Sequence, residues 1–394
     1  MAVSLIVALL KLASAWNSFE QASLDACPCA RPSLCLPLLT TATFEVFAFS
    51  PSKGDNWKYY DYTTLTTIAW NMDKGLLCHA HERGVKIVTL HNFDAADQLC
   101  NMTARQEWIT QTYRDIVRNY ADGVNIDTES AVTTREEAQC LTLLVQELRE
   151  ELQRNAFTRH AQVSRAVITF DVAWSPGGVD QRYYDYAGLA KATDYLFVMA
   201  VFCMLFAHYD MRSQLYDHCL AGANSPIAQI KRGIDDYIIG ANVPPHQLIL
   251  GLPWYAYEYP CAHYDSATDL CSITKQALQV PFRGAPCSDA AGVQRDYRDA
   301  VGSMTTRRWD NMTATPYFQR TVMRGGASVT VQTWYDDPES LGRKFALAGT
   351  LGGVGMWHVD SLDYSGKDAP TNETLAMWTT LKRAVPSSAI VALD

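Results

Sequence analysis

Short apolar segments of strand length alternate with helical segments along most of this chain, and this alternation constrains the fold more than any other feature. Eight such segments can be identified. They span residues 44–49, 65–70, 85–90, 122–127, 166–174, 193–199, 247–255 and 351–357. Strands that are separated by helices favour parallel pairing, and eight strand–helix units predict a closed (β/α)8 barrel, the TIM barrel of the α/β class.

One connecting segment has a clear helical pattern, over residues 135–155. Its apolar positions recur at three- and four-residue steps, which predicts a helix with one buried face. These positions are Leu141, Leu144, Leu148 and Leu152. The gap between the seventh and eighth strands, residues 258–337, is much longer than the other connections. We therefore expect a small α+β insertion there.

The composition favours a folded enzyme and argues against a nucleic-acid binder. The 394 residues are 48% hydrophobic and carry a net charge of −9, whereas proteins that bind nucleic acids are typically basic. The 20 Tyr and 10 Trp residues suit a sugar-binding cleft, and they suit an aromatic core equally well. We expect no metal, no cofactor and a monomer.

Two features indicate entry into the secretory pathway. Residues 3–12 are mostly apolar and precede Ala13-Ser14-Ala15, a pattern typical of signal-peptide cleavage, although a buried N-terminal helix would look similar. Acceptor triplets for N-glycosylation begin at Asn101, Asn311 and Asn372. No later apolar run is long enough for a membrane span. The domain limits that we expect are a signal peptide and leader over 1–22, a barrel domain over 23–385 and a loose tail over 386–394.

The cysteines agree with an oxidising compartment. Cys27, Cys29 and Cys35 cluster in CPCARPSLC, which predicts an N-terminal segment tied by disulfides. A zinc site is the weaker alternative, because no second C-x-x-C or paired His motif follows. The total of 11 cysteines is odd, so one thiol is left unpaired.

The segment DGVNIDTE, residues 122–129, carries the candidate catalytic groups. Side chains alternate between the two faces of a strand, so Asn125, Asp127 and Glu129 share one face and the residues between them share the other. Buried acids are costly unless they are paired or functional. A strand end with solvated surface acids is the alternative. We favour a catalytic pair, because chemistry in such barrels lies at the C-terminal strand ends.

Other strand ends supply candidate binding residues. Asp171 lies at the end of the fifth strand, Trp254 at the end of the seventh and Trp357 at the end of the eighth. Aromatic side chains at a barrel mouth can form walls for sugar stacking, although core packing would explain them as well.

The position of the two acids constrains the chemistry. Most glycosidases place two carboxyl groups on opposite sides of the scissile bond. Glu129 and Asp127 share a strand, so both approach a sugar from one side. Glu129 can protonate the leaving oxygen, but Asp127 is badly placed to attack the anomeric carbon. A 2-acetamido group on the substrate can supply the nucleophile instead, through a cyclic oxazolinium intermediate.

The motif DGVNIDTE resembles the DGxDxDxE signature of family 18 glycoside hydrolases, which use this substrate-assisted route. The resemblance covers nearly the whole chain after the leader. Further segments resemble a lysosomal branch of that family, whose members remove the reducing-end N-acetylglucosamine from the chitobiose core of asparagine-linked glycans. These segments are CPCARPSLC, FEVF, FDVAWSP, GLPWYAYEY, VPFRGAPCSDAAG, WYDDP and GMWHVDSLDYSG.

The resemblance implies a role for several residues. Glu129 would be the general acid and base, and Asp127 would hold and polarise the acetamido N–H. Tyr209, in the position of the family tyrosine after the sixth strand, would bond the acetamido carbonyl. Trp357 would form the floor of the sugar subsite. Asn125, Asp171, Asp210 and Trp254 would complete the substrate-binding set.

Two departures from the family pattern stand out. Asn125 replaces the usual Asp, which favours the lysosomal branch over a general chitinase. The family also has a strand that ends in M-x-Y-D, whereas here residues 201–208, VFCMLFAH, separate Met199-Ala200 from Tyr209-Asp210. Either the strand slips by eight residues, so that MLFAHYD takes the barrel position, or the added segment loops out. The segment also supplies Cys203, without which the cysteine count would be even.

Two classes of function remain open at this point. The leading hypothesis is a lysosomal exoglycosidase that acts on oligosaccharides containing N-acetylglucosamine. The alternative is a glycan-binding protein whose catalysis is impaired by the misplacement of Tyr209. The intact Glu129 favours the enzyme. A chitinase or an endo-acting N-acetylglucosaminidase is the second choice within the enzyme class.

Overall fold

The computed structural model describes most of the chain after the predicted leader. The described residues are 27–40, 42–52, 54–70, 73–154, 166–200, 218–274, 287, 291–366 and 371–386. The predicted signal peptide, the segment 201–208 with Tyr209 and Asp210, and the tail beyond residue 386 lie outside them.

Eight parallel strands close into a barrel, and the predicted fold is confirmed. The barrel strands are β1 (Glu45–Ser50), β2 (Thr67–Trp70), β3 (Lys86–His91), β4 (Gly123–Ile126), β5 (Val167–Val172), β6 (Tyr195–Met199), β7 (Leu248–Pro253) and β15 (Gly353–Trp357). Their order around the barrel follows the chain, and β15 closes it between β7 and β1. Because β6 keeps its original sequence, the slipped strand in which MLFAHYD takes the barrel position is wrong.

Helices surround the barrel. They are α1 (Lys74–His81), α2 (Met102–Arg118), α3 (Arg135–Arg154), α4 (Tyr186–Ala192), α5 (Ile227–Asp235), α7 (Pro338–Phe345) and α8 (Asn372–Ala384), whereas α6 (Tyr297–Gly302) lies in the insertion between β7 and β15. Helix α3 is the one predicted from the leucine spacing, and its four leucines are fully buried. The layer between helices and strands forms the largest hydrophobic core.

The barrel interior is filled by aromatic side chains. Phe197 of β6 lies 5.5 Å from Phe47 and 5.0 Å from Phe49, measured between ring centroids. Gly251 and Gly355, on β7 and β15, leave room for it, because an added Cβ would lie 2.2 Å or 2.4 Å from the Phe197 ring. The interior is therefore a packed core, and polar groups can gather only above it, near the C-terminal mouth.

The chain between β7 and β15 forms the predicted α+β insertion. Its strands are β8 (Tyr255–Pro260), β9 (His263–Asp265), β10 (Leu270–Ser272), β11 (Val293–Asp296), β12 (Arg308–Asp310), β13 (Thr315–Arg324) and β14 (Ala327–Trp334). Strands β9 and β10 form a two-stranded sheet, and the other five form an antiparallel sheet in the order β11-β8-β14-β13-β12. The first strand of the five-stranded sheet, β8, begins directly after Trp254. The insertion therefore starts closer to the barrel mouth than residue 258, where the sequence suggested its start.

Disulfides pair every cysteine of the described residues. The pairs are Cys27–Cys35, Cys29–Cys78, Cys100–Cys140, Cys219–Cys287 and Cys261–Cys271. The N-terminal segment is thus tied by disulfides, as predicted, and its partner outside the cluster is Cys78 of α1. The sulfurs of Cys27, Cys29 and Cys35 lie within 4.8 Å of one another, but their bonds in disulfides leave no thiolate for a metal. The one remaining cysteine of the eleven is Cys203, which lies outside the described residues.

Candidate active site

Polar side chains meet inside the barrel near the ends of β4 and β5. Asn125 pairs in register with Thr169 on the neighbouring strand, so the two side chains point to the same face. The Asn125 amide Nδ2 donates hydrogen bonds to Thr169 Oγ1 at 2.9 Å and to Asp171 Oδ1 at 2.8 Å. All three residues are buried. Asn125 therefore organises the floor of the polar pocket through donation, which an aspartate carboxylate could not do.

Asp127 and Glu129 follow β4 rather than lie within it. The strand ends at Ile126, although the Asp127 backbone N–H still donates to His91 O at 2.8 Å and extends the ladder by one step. The Asp127 side chain is largely buried, whereas the Glu129 side chain is half exposed. Regular pairing stops three residues before Glu129, so the shared strand face expected for Asn125, Asp127 and Glu129 does not extend to Glu129.

The loop that carries Glu129 is held on both sides by hydrogen bonds. The Tyr184 hydroxyl lies 3.0 Å from Thr128 O and 2.7 Å from Ser130 O, so it is shared between the two carbonyls that flank Glu129. The Thr128 hydroxyl accepts a hydrogen bond from Phe93 N at 2.9 Å. Glu129 therefore projects from a backbone that is fixed by these hydrogen bonds.

The environment of Asp127 disfavours its ionised form. Burial, followed by the charge of Glu129, raises the pKa of Asp127 to about 6, while the guanidinium of Arg182 opposes that rise. Within the described part of the chain, Asp127 Oδ1 is buried and accepts no hydrogen bond. A substrate N–H group, or a proton on Asp127, would satisfy this oxygen.

The environment of Asp171 disfavours its ionised form even more strongly than that of Asp127 does. Complete burial, then the charge of Asp127, raises the pKa of Asp171 well above its usual range, although the hydrogen bond from Asn125 lowers it. Three acids at the mouth therefore differ in their surroundings. Asp171 is deeply buried, Asp127 is intermediate and Glu129 is partly open to solvent.

Arg182 pairs with Glu129, and the sequence reasoning missed it. Its Nη1 atom lies 3.1 Å from Glu129 Oε1, and its Nη2 atom lies 2.9 Å from Asp180 Oδ2. The Arg182 side chain is only 8% exposed. The residue lies in the loop after β5, well beyond the end of that strand at Val172, and no local sequence pattern points to its pairing with Glu129.

Trp357 lies at the barrel mouth, as the sequence predicted. It ends β15 and remains partly exposed, with its ring centroid 5.0 Å from that of Phe49. The ring thus covers the aromatic core of the barrel and presents a face above it. Contact between this face and a sugar stays a prediction.

Trp254 cannot bind a sugar, and its assignment to the substrate site is corrected. Pro253 pairs in register with Trp357, so the next residue, Trp254, points to the opposite face, toward the helices. Trp254 is fully buried and packs edge-on against Trp378 of α8, with ring centroids 5.1 Å apart. The core-packing alternative is therefore the right one for this residue.

The structure thus brings part of the expected site together. Asn125, Asp127 and Asp171 lie in or just above the barrel interior, with Glu129 at the rim. Tyr209 and Asp210 lie outside the described residues, so their roles stay predictions.

The three glycosylation candidates lie on the surface. Asn101, Asn311 and Asn372 are all exposed, as attachment of a glycan requires. Their modification stays a prediction. No helix within the described residues is long and apolar enough to cross a membrane.

Comparison with known proteins agrees with the geometry. A family model described as "Glycosyl hydrolases family 18" matches residues 88–361. A di-N-acetylchitobiase from Mus musculus is 38% identical over 365 residues, which cover 90% of this chain and 93% of that protein. The Homo sapiens protein of the same name is 37% identical over 365 residues, which cover 90% of this chain and 88% of that protein.

A solved structure of similar fold is that of a class V chitinase from Nicotiana tobaccum. It superposes with a TM-score of 0.62 at 17% identity and covers 88% of this chain and 99% of that chain. At this identity the likeness concerns the fold alone, a barrel with helices around it.

The barrel and its acidic mouth define the class of this protein as a glycosidase. The family match spans more than half of the chain, and the mammalian relatives cover nearly all of it. The chain therefore belongs to glycoside hydrolase family 18.

Proposed function

We propose that this protein hydrolyses the β-1,4 bond of the N,N'-diacetylchitobiose core of asparagine-linked oligosaccharides and releases the reducing-end N-acetylglucosamine. The observation that carries the proposal is the pair of acids at the mouth, in which Asp127 is partly buried and Glu129 is half exposed. The extensive similarity to proteins named di-N-acetylchitobiase supports the choice of substrate. The predicted signal peptide and glycosylation sites support a lysosomal location.

The proposed mechanism uses the substrate as its own nucleophile. Glu129 donates a proton to the glycosidic oxygen while the acetamido carbonyl oxygen bonds to the anomeric carbon, and the carbon–oxygen bond to the leaving sugar breaks. Asp127 accepts a hydrogen bond from the acetamido N–H and stabilises the positive charge of the oxazolinium ion. Water then attacks the anomeric carbon while Glu129 takes its proton, and the bond from the acetamido oxygen to that carbon breaks, so that the acetamido group is restored and the configuration is retained.

The experiment that tests this function identifies the products. Purified protein is incubated with chitobiose-core oligosaccharides, and the released sugars are analysed by mass spectrometry. We expect free N-acetylglucosamine from the reducing end. Internal cleavage of longer chitin oligomers would indicate a chitinase, and glycan binding without turnover would indicate the impaired binding protein.

The substrate-assisted route makes a further prediction about inhibitors. A thiazoline analogue of the oxazolinium ion should compete at least about tenfold more tightly than free N-acetylglucosamine, because it resembles the high-energy state. Competition is measured as the inhibition constant against a chitobiose substrate. Isolation of a covalent sugar ester on Asp127 or Glu129 would contradict the mechanism and support an ordinary retaining one.

The pKa of Asp127 predicts the pH dependence. The mechanism needs a proton held at the barrel mouth, and Asp127 is the acid there whose pKa is raised by burial and by the charge of Glu129. The raised pKa of about 6 means that this proton is bound below pH 6 and lost above it. We expect kcat/KM to fall about tenfold per pH unit above this value. A flat profile from pH 5 to pH 8, measured on folded protein, would contradict the proposed roles.

A further inference from the structure

We propose that Arg182 is a positioning residue for catalysis, which orients Glu129 toward the leaving oxygen and whose charge favours the ionised form of Asp127. The inference rests on the proposed function, because it gives Arg182 a role only if Glu129 is the proton donor. Arg182 is not offered as a catalytic residue, since its side chain is nearly buried behind Glu129.

The backbone around Arg182 is locked to the loop that carries Glu129. Val132 N donates to Gln181 O at 2.9 Å, and Tyr183 N donates to Val132 O at 3.1 Å, so the two loops pair on both sides of Arg182. The base of the arginine side chain therefore keeps a constant position relative to Glu129. Such a fixed base is what a positioning residue requires.

The guanidinium group joins two acids at once. Its Nη1 atom contacts Glu129 Oε1, and its Nη2 atom contacts Asp180 Oδ2, which holds the planar fork in one orientation. Only one oxygen of Glu129 is used, so the other remains available for a proton and a substrate. A lysine would supply the same charge, but its single nitrogen could not reproduce the rigid fork between both acids.

The charge of Arg182 acts on a site that is otherwise acidic. The titratable groups that face the acid pair or Arg182 from the surrounding strands and loops are Asp94, Asp171, Asp180, Tyr184 and Tyr186. Asp94 raises the pKa of Asp127, and Arg182 lowers it. Among the described groups that act on Asp127, Arg182 is the cation that limits this rise.

Removal of the charge should therefore move the pH profile. Without Arg182, Asp127 would hold its proton to a higher pH, and the alkaline limb of kcat/KM should shift upward by about one unit. Glu129 would also lose its orientation, and kcat should fall by about tenfold to a hundredfold, since small misplacements of reacting groups are costly. KM should change little, because Arg182 presents almost no surface to a substrate.

The test compares Arg182→Gln with Arg182→Lys across the pH range with a chitobiose substrate. We expect Arg182→Gln to show both the shifted limb and the lower kcat. Arg182→Lys should keep the alkaline limb near that of the native protein, because the charge is retained, and should lose part of kcat, because the fork is lost.

Arg105→Gln is the matched control. Arg105 is also buried and pairs through its guanidinium with Glu147 at 2.9 Å, but this pair joins α2 and α3 on the outside of the barrel. Its loss should lower the melting temperature without moving the pH profile. If Arg182 had only a structural role, Arg182→Gln would give the same result as this control, namely a lower melting temperature and an unmoved pH profile.

An unmoved alkaline limb in Arg182→Gln would overturn the proposal, whatever happens to the rate. Equal shifts in the Gln and Lys variants would also overturn it, because charge would then not be the cause. Failure of the proposed function would give a different result. In that case Glu129→Gln would retain normal turnover. An inactive Glu129→Gln beside a native-like Arg182→Gln would refute this inference alone.

Discussion

Replacement of Glu129 by Gln is expected to lower kcat by about 10² to 10⁴-fold, which is the usual contribution of a positioned general acid. The amide is nearly the same size as the carboxyl and can still accept the hydrogen bond from Arg182. The Glu129 side chain is half exposed, and its loop is held by backbone contacts to Tyr184. The variant should therefore fold normally, with a melting temperature close to that of the native protein.

Glu339→Gln provides a matched control for this result. Glu339 is also 50% exposed and pairs with an arginine, Arg307, at 2.8 Å, but it lies in the first turn of α7 and not among the acids of the mouth. Its replacement removes the same charge from the same kind of surface pair, and activity should be unchanged. Normal turnover in a folded Glu129→Gln protein, measured with a chitobiose substrate, would refute the mechanism proposed for this site.

Most of the fold could be predicted from the sequence, because a barrel strand has a local signature. Each strand is a short apolar run between helical patterns, and no long-range information is needed to find it. The leucine spacing of α3 is equally local. The boundaries of the insertion were harder to locate, because β8 continues directly from the end of β7 and no loop separates them.

The candidate site could be predicted only where the alternation of a strand decides the direction of a side chain. Asn125 and Asp171 point into the barrel as expected. Trp254 was misjudged, because its direction depends on which residue of β7 pairs with Trp357 on the neighbouring strand β15. Arg182 was missed because its partner, Glu129, lies 53 residues earlier in the chain, and no local pattern reports that ion pair.

Deletion of residues 201–208 is expected to raise kcat/KM by about 10²-fold or more, because a misplacement near 1 Å can have an effect of that size. Strand β6 ends at Met199, and Ala200 N still donates to Gly251 O of β7 at 3.1 Å. The barrel strand is therefore complete before the added segment begins. Without that segment, Tyr209 would directly follow Ala200.

The alternation of β6 gives the direction in which that tyrosine would point. Tyr195, Phe197 and Met199 face the barrel interior. A residue placed two positions after Met199 continues this series, so the Tyr209 side chain would enter the mouth on the strand next to β5, which carries Asp171. This is the position that the family pattern M-x-Y-D requires. With the segment present, Tyr209 is separated from the end of β6 by eight further residues.

The same deletion should improve folding, because it removes Cys203. All ten cysteines of the described residues are paired, so a further thiol has no native partner among them and can exchange with the existing disulfides. Cys203→Ser in the full-length chain separates the two effects. It should recover the yield of correctly paired protein but leave kcat/KM low, since residues 201–208 still separate Tyr209 from the end of β6. Equal specific activity and melting temperature with and without residues 201–208 would show that the segment is accommodated and that Tyr209 reaches the site despite it.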